Sequence, residues 1–194
     1  RQRQMCIRDS LKAIAKGHKA DYKKIFELPY DSFEEIIIKG AAVGFADVPL
    51  CEKEPYIIRY AEMIDNWAEC DCFCSCIKVK KSEADDLLRL AEGLMYRKEE
   101  FVSRVGTVLM FSKFSDEPTV RKALTIYDRL PGGEYYRDMA VAWGISVYCV
   151  RYPQLIVKYL EHSPISIAVK LAAAQKIRDS RRISAVSYTH LTLP

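Results

Sequence analysis

The chain has 194 residues, of which 49% are hydrophobic and 29% are charged, and its formal net charge is +4. This length and apolar content suit one domain with a sizeable core, and a net charge this small does not by itself require a nucleic-acid partner. No apolar run reaches membrane-spanning length, so the sequence predicts a soluble protein with no membrane partner.

The two ends of the chain can be encoded by one DNA sequence read on both strands. Residues 1–10, RQRQMCIRDS, and residues 186–194, VSYTHLTLP, back-translate to reverse complements of each other. We interpret 1–10 and 185–194 as a translated sequencing-library adapter and expect a native domain over 11–184 that is truncated at both ends. The alternative is a genuine basic arm and a genuine tail. Without the adapter the net charge falls to +2.

Six cysteines lie outside the adapter, and four of them form the motif CDCFCSC. On a helix, Cys70 and Cys74 lie on one side and Cys72 and Cys76 on another, so the four thiols cannot converge on one tetrahedral metal. We therefore expect small buried thiols and no metal. Six free thiols are typical of a reducing compartment, which favours a cytoplasmic location.

The spacing of apolar residues predicts helices along the whole chain and no β-sheet. The sequence contains no sign of an oligomer, so we expect a monomer. The predicted helical segments are, in chain order, DYKKIFEL, DSFEEIIIKGAAVGF, EPYIIRYAEMI, NWAECDCFCSCIK, SEADDLLRLAEGLMY, KEEFVSRVGTVLMFSKF, EYYRDMAVAWGISVYCVRY and SIAVKLAAAQKIRDSRR.

Local signals place the starts of several helices. Asp31, Asn66 and Ser82 are predicted N-caps, because their short polar side chains can accept a hydrogen bond from a free N–H of the first turn. Pro55 is expected in the first turn of its helix, where its missing N–H costs nothing. The stretch SDEP is expected to be a break between helices.

Helices of this length joined by short loops form antiparallel pairs, and repeated pairs predict an all-α solenoid of HEAT-like repeats. Trp67 and Arg104 are 37 residues apart, and Arg104 and Trp143 are 39 apart, each about one HEAT-sized repeat. Because equivalent positions of successive repeats lie on the same face, we expect these three side chains in one groove.

The candidate site consists of residues on predicted helical faces. Trp67 and Asp71 are four residues apart and share a helical face, which Ser75 and Lys78 continue; the alternative is a tryptophan at the edge of the core and a solvated carboxylate. A buried Arg104 needs an anion, either a nearby carboxylate or a phosphate. Trp143 is either a core residue or a stacking surface for a sugar or base.

Basic residues around these faces are candidate contacts to DNA phosphates. Lys78, Arg151, Arg178 and Arg181 could hold a polyanion in a salt-dependent way. The alternative for the KIRDSRR stretch is a solvated helix end.

Several segments in order resemble one protein family. The stretches IDNWAECDCFC, FVSRVGTVLMFSKF, YYRDMAVAWGISVYCVRYP and AAAQKIRDSRRIS resemble the bacterial DNA alkylation repair proteins, the AlkD-type DNA glycosylases. The resemblance covers most of 11–184, and LKAIAK is similar to the end of an early helix of that family.

The resemblance implies a curved stack of HEAT-like repeats with a concave DNA-binding face. It implies hydrolysis of the N-glycosidic bond of cationic alkylated purines, such as 3-methyladenine and 7-methylguanine, in double-stranded DNA without base flipping and without a cofactor. Carried over by residue, Asp71 matches the catalytic carboxylate, Trp67 and Trp143 match aromatics that flank the lesion's deoxyribose, and Arg104 matches an arginine that contacts the DNA backbone. The alternatives are a non-catalytic helical-repeat module that binds unusual DNA structures and a protein scaffold.

Overall fold

A computed structural model of the protein describes residues 21–180, and all regular structure within that range is helical. The prediction of an all-α chain is therefore confirmed for the described residues. A 3-10 turn spans Lys81–Glu83. The α-helices are α1 Tyr22–Glu27, α2 Phe33–Phe45, α3 Leu50–Met63, α4 Trp67–Cys76, α5 Ala84–Met95, α6 Glu100–Lys113, α7 Glu117–Tyr127, α8 Tyr135–Cys149, α9 Pro153–His162 and α10 Ile167–Arg178.

The even-numbered helices pack against one another in chain order, α2 on α4, α4 on α6, α6 on α8 and α8 on α10. The odd-numbered helices pack against this row: α3 contacts α2 and α6, α5 contacts α6, α7 contacts α6 and α8, and α9 contacts α8. Fully buried side chains at these contacts include Ile57, Phe73, Leu109, Ile145 and Ile156. Apolar residues from helices far apart in sequence thus share one core, which holds the even-numbered helices in a fixed order.

The start of α4 is where the sequence predicts it, and the start of α2 is one residue later than predicted. The side chain of Asn66 accepts hydrogen bonds from the N–H groups of Ala68 and Glu69, each at 3.0 Å, and caps α4. For α2 the N-cap is Ser32, not Asp31, because Ser32 and Glu35 form a reciprocal capping box. The Ser32 hydroxyl accepts from the Glu35 N–H, and the Glu35 carboxylate accepts from the Ser32 N–H.

Two other predicted helix starts are wrong. Ser82 lies in the 3-10 turn, so α5 begins only at Ala84. Helix α3 begins at Leu50, which places Pro55 in its interior and removes one helical hydrogen bond. At the start of α3, the Leu50 N–H donates to the carboxylate of Glu83 at 2.7 Å. This cap comes from a residue 33 positions further along the chain.

Helices α7 and α9 are absent from the predicted set. The SDEP stretch is the beginning of α7, because Asp116 accepts from the N–H of Thr119 at 3.0 Å and Pro118 occupies the first turn. Pro153 likewise stands at the start of α9. The predicted break at SDEP is therefore wrong, and in both helices the proline is in the first turn, where a helix tolerates it best.

The end of α4 is held by two lysines from neighbouring helices. Lys53 of α3 is 1% exposed and donates from Nζ to the carbonyl of Ala46, at 3.1 Å, and to that of Lys78. Lys113 of α6 donates to the carbonyl of Ile77 at 2.7 Å. Carbonyls at helix ends lack a donor from their own helix. The two ammonium groups supply it and thereby tie α4 to α3 and α6.

Replacing Lys53 by Met is expected to lower the free energy of unfolding by about 2 kcal/mol, because two partly buried carbonyls lose a charged donor. Burial lowers the pKa of Lys53, because the ammonium loses water. Part of the free energy of its hydrogen bonds therefore only compensates for this desolvation. The measurement is urea unfolding followed by circular dichroism. The matched control is Lys158→Met on the exposed face of α9. Equal unfolding midpoints for the two variants would contradict the capping role.

Within residues 21–180, no helix is both long and apolar enough to cross a membrane. The LKAIAK segment and both proposed adapter segments lie outside the described residues.

Candidate functional site

An open cleft of about 860 Å³ runs along the even-numbered helices from α4 to α10. It brings together the three side chains that repeat spacing predicts to share a groove, Trp67, Arg104 and Trp143, and it also contains Asp71, which shares the helical face of Trp67. Its lining residues are Trp67 and Asp71 of α4, Arg104 of α6, Tyr135, Tyr136, Met139, Trp143, Ser146 and Val147 of α8, Val150 and Arg151 just after α8, Lys176 of α10, and Asp179 and Ser180.

Helix α4 presents Trp67 and Asp71 to the cleft because its opposite side is apolar. Cys70, Phe73 and Cys74 are each no more than 1% exposed and face the core. Trp67, in the first turn, is 50% exposed, and Asp71 follows one turn later on the same face. The predicted stripe of an aromatic ring followed by a carboxylate is therefore present, and it opens on the cleft.

Asp71 and Arg104 form an ion pair across α4 and α6. Arg104 Nη2 lies 2.9 Å from Asp71 Oδ1 and 3.0 Å from Oδ2, and Arg104 Nε lies 3.2 Å from Oδ1. The side chain of Arg104 is 6% exposed and that of Asp71 is 22% exposed. Of the two partners that the sequence left open for Arg104, the structure contains the carboxylate. A contact between Arg104 and a DNA phosphate stays a prediction.

The ionisation of Asp71 reflects two opposing effects. Burial raises the pKa of the Asp71 carboxyl above its ordinary value, because the charged form loses water. The positive charge and hydrogen bonds of Arg104, and more weakly the charge of Lys176, act in the opposite direction and limit the rise. The carboxylate is thus partly desolvated and held by a fixed cation.

Arg104 also connects the carboxylate to the start of α8. Its Nη1 donates to the carbonyl of Tyr136 at 2.8 Å. One turn earlier on α6, the Glu100 carboxylate accepts from the N–H of Tyr136 at 2.5 Å, and the Phe101 ring packs on the Tyr136 ring with centroids 5.1 Å apart. Three residues on one face of α6 therefore hold Tyr136, which fixes one wall of the cleft relative to Asp71.

Trp143 lies on the cleft face of α8 and is half-buried. Its ring meets Phe111 edge-on, with centroids 4.7 Å apart and an interplanar angle of 61°. A Cβ at Gly144 would lie 2.5 Å from the hydroxyl of Tyr127, so this glycine allows α7 to approach α8 on the core side. The open space beside Trp143 is the cleft itself.

Sequence reasoning missed several side chains of the cleft, three of them near the start of α8. Tyr135 is 67% exposed, Tyr136 meets it edge-on with centroids 5.1 Å apart, and Met139 lies one turn further along α8. Extending the Trp143 stripe backwards in steps of three and four residues reaches Met139 and Tyr136. That signal was present in the sequence and adds the Tyr136 ring to the cleft; a step of four from Met139 also reaches Tyr135.

The predicted basic residues are distributed unevenly. Arg151 lines the cleft, where its Nη1 donates to the Ser115 hydroxyl at 3.2 Å. Lys78 lies away from the cleft-lining set, with its ammonium 5.2 Å from the centre of the Phe45 ring. Arg178 bonds the Gln175 side chain at 2.6 Å and is also outside that set. Arg181 lies outside the described residues. DNA contacts of these three residues stay predictions.

Four cysteines are buried, Cys70, Cys74, Cys76 and Cys149, whereas Cys72 is half-buried and Cys51 is exposed. The described residues contain no group of three or more histidine, cysteine or acidic side chains arranged to hold a metal ion.

Comparison of the chain with protein-family models, with curated proteins and with solved structures gave no match. The resemblance to the AlkD-type glycosylases therefore stays a prediction that rests on the sequence segments.

Proposed function

We propose that this chain is a DNA glycosylase that hydrolyses the N-glycosidic bond of cationic alkylated purines, such as 3-methyladenine and 7-methylguanine, in double-stranded DNA. The observation that carries the proposal is the convergence of Trp67, Trp143 and the Asp71–Arg104 ion pair in one open cleft. No cofactor or metal enters the proposed reaction, because an alkylated purine already carries the positive charge that makes it a good leaving group.

The proposed reaction begins with cleavage of the bond between C1′ and the purine nitrogen. The bonding electrons leave with the base and neutralise its charge, and the sugar becomes an oxocarbenium ion. The negative charge of Asp71 stabilises this cation in a partly desolvated site, where electrostatic interactions are stronger than in water. Water then adds to C1′, and Asp71 accepts its proton.

The surroundings of Asp71 suit this role. Arg104 makes two hydrogen bonds to Oδ1 and one to Oδ2, so Oδ2 keeps a second lone pair for a ligand, and the side chain is 22% exposed. Arg104 thereby fixes the orientation of the carboxylate and favours its charged form. The faces of Trp67 and Trp143 provide negative π-surfaces that attract a cation. Tyr135 and Tyr136 extend this aromatic wall.

The shape of the cleft supports a reaction on a base that stays in the duplex. The cleft is an open surface feature bordered by four helices, and a flipped base would need an enclosed pocket around its edges. We propose that the helices form HEAT-like repeats and that the even-numbered row is the inner, DNA-facing layer. The contacts between successive even-numbered helices support this arrangement.

The test is release of 7-methylguanine from methylated duplex DNA, measured by chromatography of the free base under single-turnover conditions. We expect release above the spontaneous rate. Tight binding of duplex DNA without release would favour the non-catalytic DNA-binding module, and absence of both binding and release at low salt would favour the protein scaffold.

The rate of release is expected to fall on the acid side with an apparent pKa above that of an ordinary aspartate, about 3.9. The physical reason is that burial raises the pKa of Asp71, and only the ionised carboxylate stabilises the sugar cation. Because the folded-state pKa is the higher one, protonation of Asp71 stabilises the fold, and this stabilisation is lost as the pH rises through the folded pKa. Protonation of Asp71 is therefore expected to lower the activity without unfolding the protein. Circular dichroism recorded at each pH checks that the fold is retained. An acid limb at or below the ordinary aspartate pKa would contradict the assignment.

A further inference from the structure

The cleft contains three cations, and they differ in their partners. Arg104 is buried and makes four hydrogen bonds, to Asp71 and to the Tyr136 carbonyl. Arg151 is exposed and donates to the hydroxyl of Ser115 at 3.2 Å; its guanidinium also lies 5.7 Å from the centre of the Tyr152 ring, and its charge helps to lower the pKa of Asp116. For Lys176, the described residues provide neither a hydrogen bond nor an ion pair, although it is half-buried on the cleft wall. A half-buried ammonium without a partner is the group most ready to accept an anionic ligand.

Lys176 is also close to the proposed reaction centre. It lies in the last turn of α10, and its charge limits the rise that burial causes in the pKa of Asp71. Helix α10 packs directly on α8, the helix that carries Trp143 and the aromatic wall. The ammonium therefore belongs to the same cleft as the carboxylate, on a different helix, and no acceptor in the described part of the chain binds it.

We propose that Lys176, together with Arg151, forms a phosphodiester-binding subsite on the α10 side of the cleft, which holds the backbone of the DNA strand whose sugar lies at Asp71. This inference rests on the proposed function. It assigns the main phosphate contact to Lys176, which has no bonded acceptor among residues 21–180, and to the exposed Arg151, because the donors of Arg104 bind Asp71 and Tyr136. A lysine suits this task because its ammonium binds phosphate as a point charge without a fixed approach angle.

Asp179 places a negative charge near Lys176 and allows a test with the opposite expected effect on DNA binding. Its carboxylate accepts a hydrogen bond from the Gln175 amide at 2.9 Å and lies at the same end of the cleft as Lys176. A negative group beside a phosphate site repels the ligand. Removing this charge should therefore strengthen binding, whereas removing the charge of Lys176 should weaken it.

The experiment is fluorescence anisotropy of an undamaged labelled duplex, titrated with protein at several salt concentrations. For Lys176→Gln we expect the plot of log affinity against log salt to become shallower by about 0.9, the contribution of one phosphate contact. Lys176→Arg keeps the charge and should keep the wild-type slope. Asp179→Asn should bind more tightly at low salt. The matched control is Lys170→Gln, a half-buried lysine of α10 outside the cleft, which should behave as wild type.

The outcomes separate this inference from the proposed function. If Lys176→Gln has the wild-type slope while remaining folded by circular dichroism, the phosphate subsite is wrong, whether or not the protein releases base. If the slope changes as expected but the wild type releases no 7-methylguanine, the subsite stands and the glycosylase proposal fails. If the wild type does not bind duplex DNA at the lowest salt, both are wrong. A loss of affinity in Lys170→Gln equal to that in Lys176→Gln would also overturn the subsite, because the effect would then be one of general charge.

Discussion

Replacing Asp71 by Asn is expected to reduce the single-turnover release of 7-methylguanine about a thousandfold. Asparagine has nearly the same size and its carbonyl can still accept a hydrogen bond from Arg104, but it has no negative charge to stabilise the sugar cation and cannot take a proton from water. DNA binding should be retained, because the phosphate contacts that we propose lie elsewhere in the cleft.

The variant needs a check on folding, because it leaves a buried Arg104 without a full counter-charge. Thermal unfolding by circular dichroism and duplex binding by anisotropy provide that check. Asp86→Asn is the matched control: this carboxylate is on α5, is exposed and pairs with Arg89 away from the cleft. We expect its release rate to equal that of the wild type. Release by Asp71→Asn at the wild-type rate would show that another group performs the reaction.

Replacing Gly106 by Ala is expected to lower the free energy of unfolding by about 3 kcal/mol. A Cβ at Gly106 in α6 would lie 2.6 Å from the carbonyl oxygen of Ala91 and 2.6 Å from the amide nitrogen of Met95, both backbone atoms of α5. Backbone atoms cannot rotate away as a side chain can. The two helices must therefore separate, and contacts in a close-packed core are lost along their length.

Differential scanning calorimetry measures this change, and a loss of about 3 kcal/mol corresponds to a fall of roughly 10 °C in Tm for a domain of this size. Gly93→Ala is the matched control. Gly93 lies in α5, and a Cβ there would meet no atom within 4 Å. We expect this variant to gain about 1 kcal/mol, the difference in helix propensity between glycine and alanine. Equal or increased stability of Gly106→Ala would show that the α5–α6 contact is looser than described.

The local parts of the fold could be predicted because their causes lie within a few residues. The start of α4 depends on Asn66 and the two N–H groups that follow it. The start of α3 could not be predicted in the same way, because the Leu50 N–H is capped by Glu83 from a distant segment. Two helices are absent from the predicted set: for α7 the local signal in Pro118 was interpreted as a break, and for α9 the signal in Pro153 was not used.

For the site, helical spacing was enough to place Trp67 and Asp71 on one face, and repeat spacing was enough to expect Arg104 and Trp143 nearby. Spacing could not decide which anion Arg104 would bind, because a carboxylate and a phosphate can both accept two hydrogen bonds from a guanidinium. The structure decides this by bringing α4 and α6 together so that Asp71 lies within 3 Å of Nη2.

By itself, the sequence determined the helical class, the polar and apolar faces of the helices and the candidate residues, because all of these follow from periodicity along one helix. Only the tertiary structure decided which cations are already paired and which remain open. Arg104 is satisfied by Asp71 and Tyr136, whereas Lys176 faces the same cleft without such partners in the described chain. The physical reason is that pairing depends on distances between helices, and these arise from the packing of a core shared by residues far apart in sequence.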